Sequence, residues 1–196
     1  MTISVGKATS RDLPELSQTL AEAFFGDPIF TWWVPEDHRR KEILPDFFRV
    51  LAEASLPGNE VYRADDGVGA AVWTPPGMQP TEEETAALVP LLAEATGEYA
   101  DTLFEMLALM DEKHPREPHF YLFLLATRPA WQSQGVGSAL LRAVLEGCDR
   151  TGTPAYLEAS SEGNKRLYLR HGFEVVDELH LRDSPTAWCM WRAPRA

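Results

Sequence analysis

The sequence predicts a mixed α/β fold, one sheet flanked by helices, and three observations carry that prediction. Short β-branched and aromatic runs alternate with segments whose apolar residues step by three and four, the strand and helix periods respectively. Glycine and proline cut these segments apart, and the chain ends on two consecutive strand-like runs that read as a closing hairpin. Neither a fixed-period repeat nor a low-complexity tract interrupts the pattern.

Taken in order, Ile3 to Ala8 reads as a first strand. With Ser10 as N-cap, Leu13, Leu16, Leu20 and Phe24 recur at helical spacing, so a helix runs to about Phe25, where Gly26-Asp27-Pro28 ends it. The aromatic residues Phe30, Trp32 and Trp33 then fall in a loop. A second helix occupies about Asp37 to Ser55, stopped by Pro57-Gly58, and a hairpin joins Glu60–Tyr62 to Val68–Trp73 across Asp65-Asp66-Gly67. Between Thr74-Pro75-Pro76 and Pro118 lie about forty residues of helical pattern, opened by the capping box Thr81-Glu82-Glu83-Glu84. They read as a two-helix insertion over about 77–118 within one domain of residues 1–196. His119 to Thr127 is a buried strand, Gln134 to about Arg150 a helix, and Ala155 to Ala159 another strand. A short helix over about Asn164 to Arg170 ends at Gly172 in the left-handed conformation, before strands at Glu174 to His180 and Thr186 to Arg192.

Composition removes whole classes of function. With 44% hydrophobic and 24% charged residues in 196, the chain is too apolar for disorder and too mixed for a membrane or fibrous protein. Thirty acidic residues against 18 basic give a net charge of −12, a field that repels phosphate backbones and anionic lipid, so neither nucleic acid nor membrane is expected as a partner. The same field suits a cationic small molecule such as an amine. Cys148 and Cys189 lack CxxC or Cys/His spacing, which suggests neither zinc nor a disulfide framework and fits a reducing cytoplasm. Cys148 shares an apolar helical stripe with Val144 and Leu145 and reads as buried. No metal is expected: His114, Glu117 and His119 stand in a proline-flanked linker that fixes no ligand geometry. Both monomer and homodimer are compatible with the sequence.

The chemistry lies where the buried strand ending Leu125-Ala126-Thr127 turns through Gln132-Ser133-Gln134-Gly135-Val136-Gly137-Ser138 into an amphipathic helix. Glycines at a helix start let backbone N–H groups at its positive end approach a pyrophosphate closely. Two common phosphate motifs fail here, since a dinucleotide fingerprint would need Gly or Ala where Leu140 stands and a P-loop would need Gly-Lys-Ser/Thr. What remains is Gln-x-x-Gly-x-Gly three residues after Pro129.

That pattern resembles motif A of the GNAT N-acetyltransferase superfamily. A motif B follows as Asn164, Leu167-Tyr168 and His171-Gly172-Phe173, separated from motif A by a strand. Further stretches of similarity are Ala71-Val72-Trp73-Thr74-Pro75-Pro76, Pro154 to Ser160, and Thr186-Ala187-Trp188-Cys189-Met190. The resemblance implies a GNAT-like, mostly antiparallel sheet flanked by helices, with acetyl-CoA as cosubstrate and a primary amine as acceptor, puromycin or a similar aminoacyl-nucleoside. It implies that Gln132 to Ser138 cradle the pyrophosphate, that Leu125, Ala126 and Thr127 offer backbone groups to the pantetheine and the thioester carbonyl, and that Asn164 helps hold the cofactor.

Acetyl transfer also needs an acid for the departing thiolate and a base for the ammonium. By the family spacing Tyr168 is the acid; otherwise it is a core tyrosine in an amphipathic helix. Glu158 is the base, at the end of a strand that family topology sets beside the acetyl site, where partial burial raises its pKa. Its other reading, a carboxylate bonding backbone at a splayed strand end, stands level with this one. Phe30, Trp32 and Trp33 are the aromatic surfaces for the substrate, or part of the core. Two further readings stay open: an acetyltransferase for another small amine or a protein N-terminus, and a catalytically silent acetyl-CoA-binding module that would need neither Tyr168 nor an amine pocket.

Overall fold

The structure, a computed structural model, describes residues 3–58 and 60–195. Its frame is a seven-stranded sheet in the order β1-β2-β3-β4-β5-β7-β6. The strands are β1 (Val5–Lys7), β2 (Glu60–Ala64), β3 (Gly69–Thr74), β4 (Phe120–Thr127), β5 (Ala155–Ala159), β6 (Glu174–Leu179) and β7 (Ala187–Arg192). Every neighbouring pair is antiparallel except β4 and β5, so the sheet is mixed and mostly antiparallel, as the fold class requires. That parallel pair holds only from Phe120↔Ala155 to Leu122↔Leu157. β4 then runs on to Thr127 and β5 to Ala159 without pairing each other. The sheet is split there, and the split faces the functional region.

Helices cover both faces. On one, α1 (Leu13–Phe24), α3 (Asp37–Ser55), α4 (Glu82–Thr96) and α5 (Ala100–Lys113) bury Leu20, Phe47, Phe48, Leu92 and Leu103 against Val72 and Leu124 of the sheet. On the other, α6 (Val136–Thr151) and α7 (Glu162–Arg170) bury Leu140, Leu141, Val144 and Tyr168 against Trp73, Leu157 and Met190. α4 is capped as expected, Thr81 Oγ1 accepting from the Glu84 N–H (3.2 Å) and Glu84 accepting from the Thr81 N–H (2.8 Å).

The structure corrects three local expectations. Ser10 is not the N-cap of the first helix: Ser10–Asp12 form a 3-10 turn and α1 starts at Leu13. A helix capped at Ser10 would need an N–H from residue 14, which is proline, whereas Pro14 fits the first turn of a helix begun at Leu13. Phe30, Trp32 and Trp33 are not in a loop but in α2 (Pro28–Trp33), whose N-cap Asp27 accepts from the Ile29 N–H at 3.0 Å. Asp-Pro at N-cap and first helical position was the available signal. Finally, α6 begins at Val136 rather than Gln134, because Ser133 (φ +62°) and Gly135 (φ +89°) are left-handed and hold the chain out of the helix.

Candidate active site

Two cavities meet at the split in the sheet. The first is a groove over the start of α6, bounded by Leu125 and Thr127 of β4, Gln132, Ser133 and Gly135 of the turn, Val136, Gly137 and Ser138 of α6, and Asn164 of α7. The leading N–H groups of α6 have no partner within the helix and form its positive end, so the groove is built to receive an anion. Arg170 adds a cation to its wall. A Cβ placed on Gly135 would meet no atom within 4 Å, so the space over that turn is open, while its φ disfavours any side chain. On Gly137 it would stand 3.2 Å from Leu167 Cδ2 and 3.9 Å from Leu125 Cδ2 and Thr127 Oγ1, in the floor of the groove. The floor is narrow and backbone-lined, beside the edge of β4 that β5 leaves free.

The remaining motif residues tie the turn together. Gln132 Nε2 donates to the Thr127 carbonyl (3.3 Å), and Ser138 Oγ lies 3.0 Å from His171 Nε2. Gln134 is exposed and donates to the Ala130 carbonyl (2.9 Å), and its side chain does not line the groove. The Ala126 side chain, 2% exposed, belongs to the core on the opposite face, with its backbone paired to Ala70. Only its main chain is near the site. The alternation of β4 explains this, since Leu125 and Thr127 face one way and Ala126 the other.

The second cavity lies between the sheet and α1, α2 and α5, and shares Phe24, Leu125 and Asn164 with the groove. Glu158 lines it, one residue past the last β4–β5 pair. Tyr121 donates its hydroxyl to Glu158 Oε2 at 2.8 Å, while Oε1 is closed off from solvent without any hydrogen-bond partner. Burial pushes the Glu158 carboxyl up to about 7, against a smaller downward pull from the Tyr121 hydrogen bond. Tyr168 lines the same cavity and is buried. Burial, then the charges of Asp27 and Glu158, hold its phenol above the ordinary tyrosine range, so it stays protonated near neutral pH.

Between the two cavities runs a hydrogen-bonded chain that sequence reasoning missed. Asn164 Nδ2 donates to Ser160 Oγ (3.3 Å), and Ser160 donates to Asp27 Oδ2 (2.5 Å). Burial raises the Asp27 carboxyl, with Ser160 pulling the other way. Asp27 read only as a helix stop, and nothing local marks Ser160, which lies 133 residues away in sequence. Tyr121 was likewise invisible as a partner of Glu158.

Of the three aromatic residues expected at the substrate, Phe30 and Trp32 line the second cavity. Trp33 does not: it is 3% exposed, packs on Phe30 and Phe47, and donates Nε1 to the Tyr99 carbonyl at 2.9 Å. Helical geometry decides it, because residues 32 and 33 of α2 point about 100° apart. His119 Nδ1 donates to the Glu117 carbonyl and its Nε2 lies 3.1 Å from His114 Nε2. Burial keeps both imidazoles below the usual histidine range, His114 at about 4. No cluster of three metal-ligating side chains occurs among the described residues. Both cysteines are free and buried, Cys148 pushed up to about 11 by burial, which leaves it a poor nucleophile. No helix among the described residues is long and apolar enough to cross a membrane.

The acetyltransferase (GNAT) domain family matches residues 92–175, the stretch that holds β4, the turn into α6, β5 and α7. An uncharacterized N-acetyltransferase, C550.08, of Schizosaccharomyces pombe is 24% identical over 89% of this chain and 76% of its own length. Among solved structures, a histone acetyltransferase HPA2 and related acetyltransferase from Corynebacterium glutamicum is 29% identical, with a TM-score of 0.73 over all of this chain and 98% of that one. The arylalkylamine N-acetyltransferase 2 of Aedes aegypti shares the fold at 14% identity, with a TM-score of 0.65 over the full length of both chains. Residues 92–175 thus match a GNAT acetyltransferase domain and the chain as a whole carries the GNAT fold, which supports an acetyl-CoA-dependent N-acetyltransferase.

Proposed function

We propose that this protein acetylates a small primary amine by direct attack in a ternary complex, with puromycin or a similar aminoacyl-nucleoside as the acceptor. The observation that carries the reading is the junction: a backbone-lined anion groove opens into a cavity holding a carboxylate and a buried phenol, with Leu125 and Asn164 lining both. Acetyl-CoA supplies the thioester-activated acetyl group. Gln132, Ser133, Gly135, Gly137 and Ser138 bind its pyrophosphate, Gln134 and Val136 holding the turn between them, and the backbone of Leu125 to Thr127 aligns the arm along the β4 edge that β5 leaves free. Glu158, directly or through a water, takes the ammonium proton, and its carboxyl near 7 is matched to that task at neutral pH. The freed amine forms the N–C bond as the C–S bond breaks, Tyr168 gives its proton to the departing thiolate, and the second proton lost by the acylated nitrogen restores the phenol.

An α-amino group with pKa about 7.7–8.0 is partly neutral near pH 7, so a modest base is sufficient. Support for puromycin comes from the stretches Ala71–Pro76, Pro154–Ser160 and Thr186–Met190, which resemble puromycin N-acetyltransferase, and from Phe30 and Trp32 in the cavity wall. With that acceptor the reaction would confer antibiotic resistance in the cytoplasm. Acetyl-CoA turnover against a panel of amines tests it: puromycin should be acetylated, and Glu158→Gln should lower kcat/KM most at acidic pH and less at alkaline pH. A wild-type pH profile for the variant rejects Glu158 as base. Good turnover of another amine beside none for puromycin rejects the acceptor, and acetyl-CoA binding without turnover of any amine points to a silent module.

A further inference from the structure

We propose that the acceptor cavity selects by charge: it takes primary amines with one positive centre on an uncharged apolar or aromatic body, and rejects amines that also carry a carboxylate or a second ammonium. This rests on the reading of the cavity as the acceptor site and of Glu158 as its base. Among the described residues, the only charged side chain in the cavity wall is Glu158, and no lysine, arginine or histidine lines it. The rest is chiefly apolar, with Phe24, Ile29, Phe30, Met106, Leu107 and Met110 facing the sheet. Ser160, Asn164, Tyr168 and Ser184 supply the polar groups. Ser160 is already engaged with Asp27 and Asn164, and Ser184 with the backbone of Leu181 and Pro185.

Glu158 offers one place for a cation. Tyr121 occupies Oε2, and Oε1 is left enclosed and unpartnered, an arrangement that an incoming ammonium would satisfy. A carboxylate on the substrate would have no such counterpart. Basic side chains close in sequence to the wall point away from it into ion pairs, Arg182 with Glu105, Lys113 with Asp177 and Lys165 with Glu162, each at 2.6 Å. An anion carried into an apolar cavity without a partner keeps its full desolvation cost, and so does a second ammonium once Glu158 is engaged. Size cannot produce this discrimination, because a free amino acid is no larger than its amide. Puromycin, whose amine stands next to an amide carbonyl, falls within the class.

The test compares kcat/KM, corrected for the neutral-amine fraction from a pH series, for matched pairs: phenylalanine amide against phenylalanine, and pentylamine against 1,5-diaminopentane. The amide should exceed the free acid by about a hundredfold or more and the monoamine should exceed the diamine by about tenfold or more. Met106→Lys, which sets a cation in the wall, should shift the acid-to-amide ratio toward the acid by about tenfold. Equal turnover of amide and acid, or a diamine preferred to the monoamine, overturns the charge selection while leaving the acetyltransfer reading intact. If neither the amide nor the monoamine nor puromycin is acetylated although acetyl-CoA binds, the reading of the cavity as an acceptor site fails and the proposal with it. Should Met106→Lys not fold, the wild-type ratios decide.

Discussion

The groove over the start of α6 and the cavity that holds Glu158 share Leu125 and Asn164 but are built in opposite ways. The groove is made chiefly from one continuous stretch, strand end, left-handed turn and helix start, and it exposes the leading backbone N–H groups of α6. The cavity is made from side chains of α1, α2, α5, β4, β5, α7 and the β6–β7 loop, brought together only by folding. Backbone recognition needs specific φ angles and missing Cβ atoms, so it leaves glycines at fixed spacing. Side-chain recognition needs only that apolar residues from distant segments face one space, which leaves no local pattern.

Three substitutions break or sharpen that contrast. The largest effect is expected at the junction: Tyr168→Phe should lower kcat by about 10²–10⁴, the scale of general acid catalysis, with the KM for acetyl-CoA almost unchanged. Steady-state kinetics that moved the cofactor KM instead would place Tyr168 in the groove rather than at the reacting atoms.

Next comes the cost of keeping a carboxylate in an apolar wall. The folded protein holds the Glu158 proton to about 7 against an ordinary value of 4.5, so it binds that proton more tightly than the unfolded chain does. Stability from this group is full below about pH 4.5 and falls as pH rises through 7. Glu158→Gln removes the loss, so urea unfolding should show the variant matching wild type near pH 4 and gaining up to about 3 kcal/mol at pH 8. A difference that does not change with pH would mean that the carboxylate is solvated in the folded state.

The smallest effect belongs to the groove. Gly137→Val should raise the KM for acetyl-CoA by about tenfold and leave the amine KM nearly unchanged, because its side chain presses on Leu167 toward Leu125 and Thr127. An equal rise in both constants would show that the two sites are not separately built.

The pattern of what could be read follows from this division. Strand and helix order was legible from periodicity, and Gly135 and Gly172, at φ +89° each, stand where left-handed residues were needed to start α6 and end α7. Helix boundaries were less so where proline stood at a helix start, as at Pro14 and Pro28, because a missing N–H moves the start of a helix by a turn. Trp32 and Trp33 are adjacent in sequence, yet one reaches the cavity and the other the core, a choice set by where α2 begins. Asp27 stands in a short Gly-Asp-Pro break and reads as punctuation, although it joins Ser160 across the molecule.

By itself, then, the sequence determined the elements and the left-handed turn that opens α6, since both depend on backbone conformations that local residue types dictate within a few positions. Only the tertiary structure decided the chemistry of the acceptor side. The raised carboxyl of Glu158 arises because β4 and β5 part after Leu122 and Leu157, leaving that side chain between Tyr121 and an apolar wall formed by helices far away in the chain. Desolvation and partner distance set a pKa, and neither is a property of any local stretch of sequence.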